Sequence, residues 1–259
     1  MDQEIKITAV KSYRIPGYPV QEEAVRSPNL LKALPKHWRA KPVMCMALAF
    51  TITSGLCACM DRSEGPGLQI PVFEHGDGRS SFGCDSVSPP VFLSEEEAAQ
   101  VIREEAILQG VDFSGSKTIH GEFPATSFYS FRENRPAPGT WNGTLDLDGY
   151  DSQIGIGFEY VSEQDFSAWS EDKHPVATIG SYDLKGTAER MSGMVSDVAV
   201  FYDPTDEFKD FDWSQVGMDT EQYQEYLAQF EAEQKEQMKD QLREQVRDFL
   251  TWLAGEGVI

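Results

Sequence analysis

From Val43 to Cys59 the chain reads VMCMALAFTITSGLCAC, 17 residues without a charged side chain. Its only hydroxyl side chains, Thr51, Thr53 and Ser54, do not form the polar face that an amphipathic core helix needs. Lys36, His37, Arg39 and Lys41 stand just ahead of it, and Leu56-Cys57-Ala58-Cys59 closes it with small residues. Basic flank, apolar run and small-residue end form the order of a secretory signal. The length, near the lower limit of ~17 residues for spanning a bilayer, leaves a second reading: an uncleaved anchor helix over 43–59. Either way, the residues beyond the run are expected outside the cytoplasm. Since 35 residues precede Lys36, either the true start lies downstream or a cytoplasmic leader comes first.

The tetrapeptide Leu56-Cys57-Ala58-Cys59 resembles the lipobox of bacterial lipoproteins, Leu-x-(Ala/Gly)-Cys. That resemblance covers residues 36–60. It implies cleavage before Cys59, a diacylglycerol thioether on the Cys59 sulfur and acylation of the new N-terminus. The expected partner is therefore a membrane, reached through a lipid on Cys59 or through the uncleaved helix 43–59. The expected location is the extracytoplasmic face of the cell membrane. The chain divides into a basic leader (1–41), a signal or membrane segment (42–59), a polar Gly/Pro tether (60–70) and a single folded domain (71–259).

Charge separates these parts. Up to Ala58 there are eight Lys/Arg and four Asp/Glu; the 201 residues from Cys59 onward hold the other 14 and 39, a net −25. Such a body repels phosphate backbones, so no nucleic-acid partner is expected. Three of the four cysteines, Cys45, Cys57 and Cys59, lie in the apolar run. Cys84 alone belongs to the body, which therefore has no internal disulfide.

The stretch 71–93, PVFEHGDGRSSFGCDSVSPPVFL, has no helical period and reads as an ordered loop with short extended pieces. Glu74, His75, Asp77, Arg79 and Cys84 crowd into 11 residues. His75, Asp77 and Cys84 carry transition-metal ligand atoms. Alternatively, Cys84 is a thiolate nucleophile helped by His75. A structural reading has the glycines turning the chain, the polar groups satisfying carbonyls and Cys84 buried as a small apolar residue.

Downstream, Ser94 with Glu97 is a capping box, and Ala98, Val101, Ile102 and Ala106 give a buried face, predicting a helix over 95–109 stopped at Gly110. KTIHGEF (117–123) predicts a strand and 130–143 a turn-rich connection. Leu145 and Leu147, then Ile154, Ile156, Phe158 and Tyr160, alternate with small or acidic residues and predict a β-hairpin over 144–162 turning at Gly149 and Asp151. A short helix from 163, a strand near 177–182, a helix over 183–194 and a strand over 197–204 follow, with an acidic aromatic loop after Pro204. Residues 219–254 predict a long helix, capped by Asp219 and Gln222, whose last third packs on the sheet. Residues 231–237 are solvent-facing or bent.

The hairpin is neither an EF-hand loop, since Gly157 stands at the twelfth position, nor a dinucleotide fingerprint, since Tyr160 replaces the third glycine. An acidic residue ending one strand and another within the next resembles the core of PD-(D/E)xK nucleases, and so does the order of helices and strands across 95–202. That resemblance implies Mg²⁺ on Asp148 or Asp151 together with Glu159. Val161 stands where the family has its lysine.

These features predict an α+β domain: a mixed sheet with flanking helices and a long C-terminal helix. No phosphate loop, CxxC pair, HExxH or Ser-His-Asp signature is present, and no cofactor is expected. The functional expectation is a lipid-anchored extracytoplasmic protein with a binding or structural role. The alternative is a surface hydrolase that depends on a metal or a thiol.

Overall fold

A computed structural model describes residues 67–83, 88–128, 137–172, 180–207, 211–217 and 220–259. All lie in the compact unit Met60–Ile259. The leader, the apolar run with Cys59, and Cys84 lie outside the described residues. No described helix is long and apolar enough to cross a membrane.

The chain is α+β, as its patterning predicts. Among the described residues, seven strands and four helices run in the order β1 (Arg79–Phe82), α1 (Glu95–Leu108), β2 (Thr118–Pro124), β3 (Thr140–Asp146), β4 (Gly149–Asp151), β5 (Ile156–Val161), α2 (Glu163–Ala168), β6 (Gly180–Asp183), α3 (Leu184–Ser192), β7 (Val198–Tyr202) and α4 (Thr220–Gly255). A 3-10 turn over Trp213–Gly217 falls where a plain loop is expected. The strands form three small sheets: β1 with β6, β2 with β3, and β4-β5-β7. In the last, β4 and β5 are antiparallel while β5 and β7 are parallel, so this sheet is mixed.

The predicted hairpin over 144–162 is divided differently. Its first arm begins at Thr140 and pairs with β2, Leu145 facing Ile119. Only β4 pairs with β5, and the turn lies at 152–155. Gly149 is a strand residue: a Cβ there would meet the Phe158 ring at 2.3 Å, so the strands close only over a glycine.

Sheet β4-β5-β7 lies between two apolar layers. Ile156, Phe158 and Tyr160 of β5, with Ala199 and Phe201 of β7, face α1 and α4. Val161, Val198, Val200 and Tyr202 face α3 and the β2–β3 pair. Alternation along a strand therefore sends Glu159 to the second face, beside Val161. Every residue of β5 and β7 is buried.

Helix α1 starts on the capping box: the Ser94 hydroxyl accepts from the Glu97 amide at 3.2 Å, and the Ser94 amide donates to Glu97 Oε2 at 3.0 Å. Gly110 follows its end at φ 81°. Helix α4 buries Met238, Leu242, Val246, Phe249, Leu250 and Leu253, the last third that the spacing predicts. Residues 231–237 stay helical and largely exposed. Glu97 of α1 meets Lys235 and Lys239 of α4 at 3.2 and 3.6 Å, and Glu105 meets Arg247 at 3.0 Å. Gln245, fully buried, covers the open edge of β7: its Oε1 accepts from the Tyr202 amide, and its Nε2 donates to the carbonyls of Tyr202 and His75. Packing begins before residue 71. Ile70 is buried, and the Leu68 amide donates to Asp197 Oδ1 at 2.8 Å, within the stretch read as a tether.

Candidate functional site

The crowded residues of 74–84 part company in three dimensions. Glu74 pairs with Lys185 of α3 at 2.5 Å. His75 Nε2 lies 2.8 Å from Asp248 Oδ2 on α4. Arg79 Nε donates to Asp183 at 3.2 Å. Asp77 is exposed, between Arg79 and Lys185 on one side and Asp206 and Glu207 on the other. His75 turns to α4, whereas Glu74, Asp77 and Arg79 stay near Lys185 and Asp183; among the described residues they form no group that could hold a metal, and Cys84 lies outside the described residues. Gly78, at φ 66°, lets this segment run against Tyr202, where a Cβ would sit 2.7 Å from the ring.

Asp151 is likewise drawn elsewhere. It is buried and clamps its own turn: Oδ1 accepts from the amides of Gln153 (2.7 Å) and Ile154 (3.3 Å), and Oδ2 from Asp112 (2.7 Å). All of its acceptor capacity goes to backbone, as an Asx turn requires. The pairing of Asp151 with Glu159 does not form.

Asp148 and Glu159 do come together. Asp148 Oδ2 accepts from the Tyr160 amide at 2.8 Å, and the Asp148 amide reaches the Glu159 carboxylate. Two further carboxylates join them from helix starts. Ser162, the N-cap of α2, donates its hydroxyl to Glu95 Oε1 at 3.0 Å and to Asp165 Oδ2 at 2.7 Å. Glu95 opens α1, and Asp165 completes the α2 capping box. Acids are favoured there by the helix dipole. Glu159 lies mid-strand and has no such reason to be acidic.

Glu159 is 3% exposed, and its Oε2 has no hydrogen-bond partner among the described residues. Burial pushes its carboxyl well above the usual range, and repulsion from Asp148, Asp165 and Glu95 pushes it further. Burial also raises Asp148, to about 6, against the Tyr160 amide that lowers it. Asp165 is raised mainly by burial. Asp148, Glu95 and Asp165 are half-exposed, whereas Glu159 among them is buried. Arg103 lies near Asp148, but its guanidinium donates to the carbonyls of Asp148 (2.6 Å) and Phe113 (3.4 Å). Val161, at the nuclease lysine position, is a fully buried core residue.

Among the described residues no three His, Cys, Asp or Glu side chains already close around one point as metal ligands. Glu95 and Asp165 were invisible as site residues in the sequence because capping accounts for both locally. Their approach to Glu159 depends on Ser162, which reaches Glu95 across 67 residues of sequence. No family model matches the chain, and neither a curated protein nor a solved structure matches it.

Proposed function

We propose that this protein is an exported lipoprotein, held by acyl chains on Cys59 at the extracytoplasmic face of the cell membrane, and that its folded body serves a binding or structural role there. The observation that carries the reading is the continuous order of basic flank 36–41, apolar run 43–59 and Leu56-Cys57-Ala58-Cys59. The described residues, which begin at Gly67, are consistent with it, since a cut before Cys59 would leave all of them on one piece. The body's net −25 supports a covalent anchor: charge alone would keep such a domain off anionic head groups, whereas each buried CH₂ of an acyl chain adds about 0.8 kcal/mol. The binding role is preferred to a hydrolase working through the 74–84 cluster, because His75 is engaged by Asp248 and Arg79 by Asp183.

Labelled fatty acid supplied to a bacterial host tests this. Wild-type protein takes up label and migrates as the processed form, while Cys59→Ala remains unlabelled and unprocessed. Equal labelling of both, or a mature protein that retains residues 1–58, refutes lipidation and leaves the uncleaved helix 43–59 as the anchor.

A further inference from the structure

We infer that two copies of this chain pair along the open edge of β2, strand antiparallel to strand, about a two-fold axis at Gly121. The hydrogen-bond pattern of β2 with β3 shows which groups are left for a partner. The Lys117 carbonyl accepts from the Leu147 amide at 2.9 Å, and the Ala125 amide donates to the Gly139 carbonyl at 3.0 Å. Between these two bonds the register is continuous, with Gly121 facing Gly143. Bonded and non-bonded pairs alternate along an antiparallel ladder. Ile119, Gly121 and Phe123 therefore turn their backbone groups to β3, and Thr118, His120 and Glu122 turn theirs outward. Among the described residues these outward amides and carbonyls have no backbone partner. The next outward residue is Pro124, which has no N–H to leave unpaired, as suits an edge strand.

Elsewhere the fold covers its edges. Gln245 bonds to the backbone of β7, and Gly115 bridges to Tyr150 of β4. Strand β2 lacks the devices that keep an edge from pairing: it has no lysine and no bulge in its register. Thr118 to Glu122 are exposed or half-exposed. Residues 119–123 also line a groove of about 210 Å³ with Met194, Val195 and Ser196, so the strand is reached from solvent along its length. Joining two copies turns the two-stranded β2–β3 sheet into one of four strands.

An antiparallel edge is self-complementary under a two-fold axis, and charge selects the register. Outward residues must meet outward residues, so a register overlapping most of the strand puts the axis at His120, Gly121 or Glu122. At His120, imidazole faces imidazole. At Glu122, carboxylate faces carboxylate, and Pro124 stands opposite His120 with no amide to give. At Gly121, His120 stands opposite the partner's Glu122, and the two exchange both backbone bonds. Opposite charges directly across a ladder stabilise it, and like charges destabilise it. His120 is a donor that turns cationic when protonated, so it complements a carboxylate in either form. In this register Ile119 lies opposite the partner's Phe123, and the Thr118 amide reaches the carbonyl of the partner's Pro124. The pairing does not rest on lipidation. Its failure leaves the fatty-acid result standing, and the reverse.

Sedimentation of the purified full chain in density-matched detergent tests this. Each body carries −25 from Cys59 onward, so the measurement belongs near 0.15 M NaCl, where the screening length is about 8 Å. Wild type is expected to dimerise at micromolar concentration. His120→Glu sets carboxylate against carboxylate on both sides of the axis and should weaken the dimer by at least about tenfold, with far-ultraviolet circular dichroism unchanged. Glu122→His alone should weaken it as well, and the exchange His120→Glu with Glu122→His should restore it. Gly121→Cys, in a chain whose native cysteines are serine, should cross-link under mild oxidation. Backbones at the axis come to about 4.5 Å between Cα atoms, and a Cβ on Gly121 meets nothing nearer than the Phe123 ring at 3.8 Å. Asn142→Cys on β3 should not cross-link. A monomeric wild type overturns the proposal and leaves the edge to an extended segment of another protein. A dimer indifferent to His120→Glu, an exchange that restores nothing, or cross-linking at 142 equal to that at 121 overturns it too, and places the contact elsewhere on the chain.

Discussion

Asp148 and Glu97 titrate in opposite senses. The Asp148 carboxyl is raised to about 6, so the native state binds its proton more tightly than the unfolded chain does. Stability therefore rises as pH falls from 7 through 6, and this gain is complete below the unfolded value near 3.8. At Glu97, burial raises the carboxyl, but the Ser94 hydrogen bonds and Lys235 outweigh it and bring it to about 2. Its contribution is present above the unfolded 4.5 and is lost as pH falls toward 2. The melting temperature is expected to peak between about pH 4 and 5, and Asp148→Asn should flatten the rise between 7 and 5. A melting curve at each pH checks both. Asp203 is fully buried and accepts from the Leu93 amide, the Tyr160 hydroxyl and the Thr205 amide, at 2.8, 2.8 and 2.9 Å. Asp203→Ala would leave all three donors unsatisfied in the interior, a loss of about 3 kcal/mol or more in urea unfolding.

Helices α1 and α4 are stabilised by unlike means. Helix α1 depends on its start: Ser94→Ala removes the hydroxyl that accepts from the Glu97 amide while the residue-94 amide can still donate to Glu97, for a loss of about 1 kcal/mol. Helix α4 depends on its last third. Phe249 is fully buried and its ring meets those of Phe73 and Phe201, with centroids 6.2 and 5.6 Å away. Phe249→Ala should cost about 3–5 kcal/mol, whereas an exposed residue such as Glu233 should tolerate alanine within about 0.5 kcal/mol. Chemical denaturation of the two variants side by side separates packing from helix propensity, since alanine favours the helix at both positions.

At the scale of the molecule, charge and layers act against each other. A net −25 from Cys59 onward repels itself in the compact state. Raising NaCl shortens the screening length from about 30 Å at 0.01 M to about 10 Å at 0.1 M and should raise the melting temperature by a few degrees. A fall with salt would mean that the cross-helix pairs Glu97–Lys235 and Glu105–Arg247 outweigh the bulk repulsion. Strands β5 and β7 contribute to both apolar layers, so a cavity on either face is felt on the other through this buried strand pair.

What the sequence by itself determined was local. The α1 capping box, the α4 stripe at three- and four-residue spacing and the α+β class are written in neighbours along the chain, where interactions reach no further than one turn. The tetrapeptide that resembles a lipobox is equally local, and for that reason the proposal it carries concerns address and not activity. At 74–84 chemically suggestive residues are close in sequence, and three of the described ones pair with residues far along the chain: Glu74 with Lys185, His75 with Asp248 and Arg79 with Asp183. Strand partners were not legible, because alternation marks a strand's faces but not its neighbour: the arm at 140–146 pairs with 118–124 and not with 156–161. The acidic cluster was decided by tertiary structure alone. Glu95 is a first-turn acid of α1 and Asp165 a capping-box partner of α2, both locally explained, until packing of α1 and α2 on either side of Ser162 brings them to a buried carboxylate. That meeting depends on long-range contacts that no local pattern encodes.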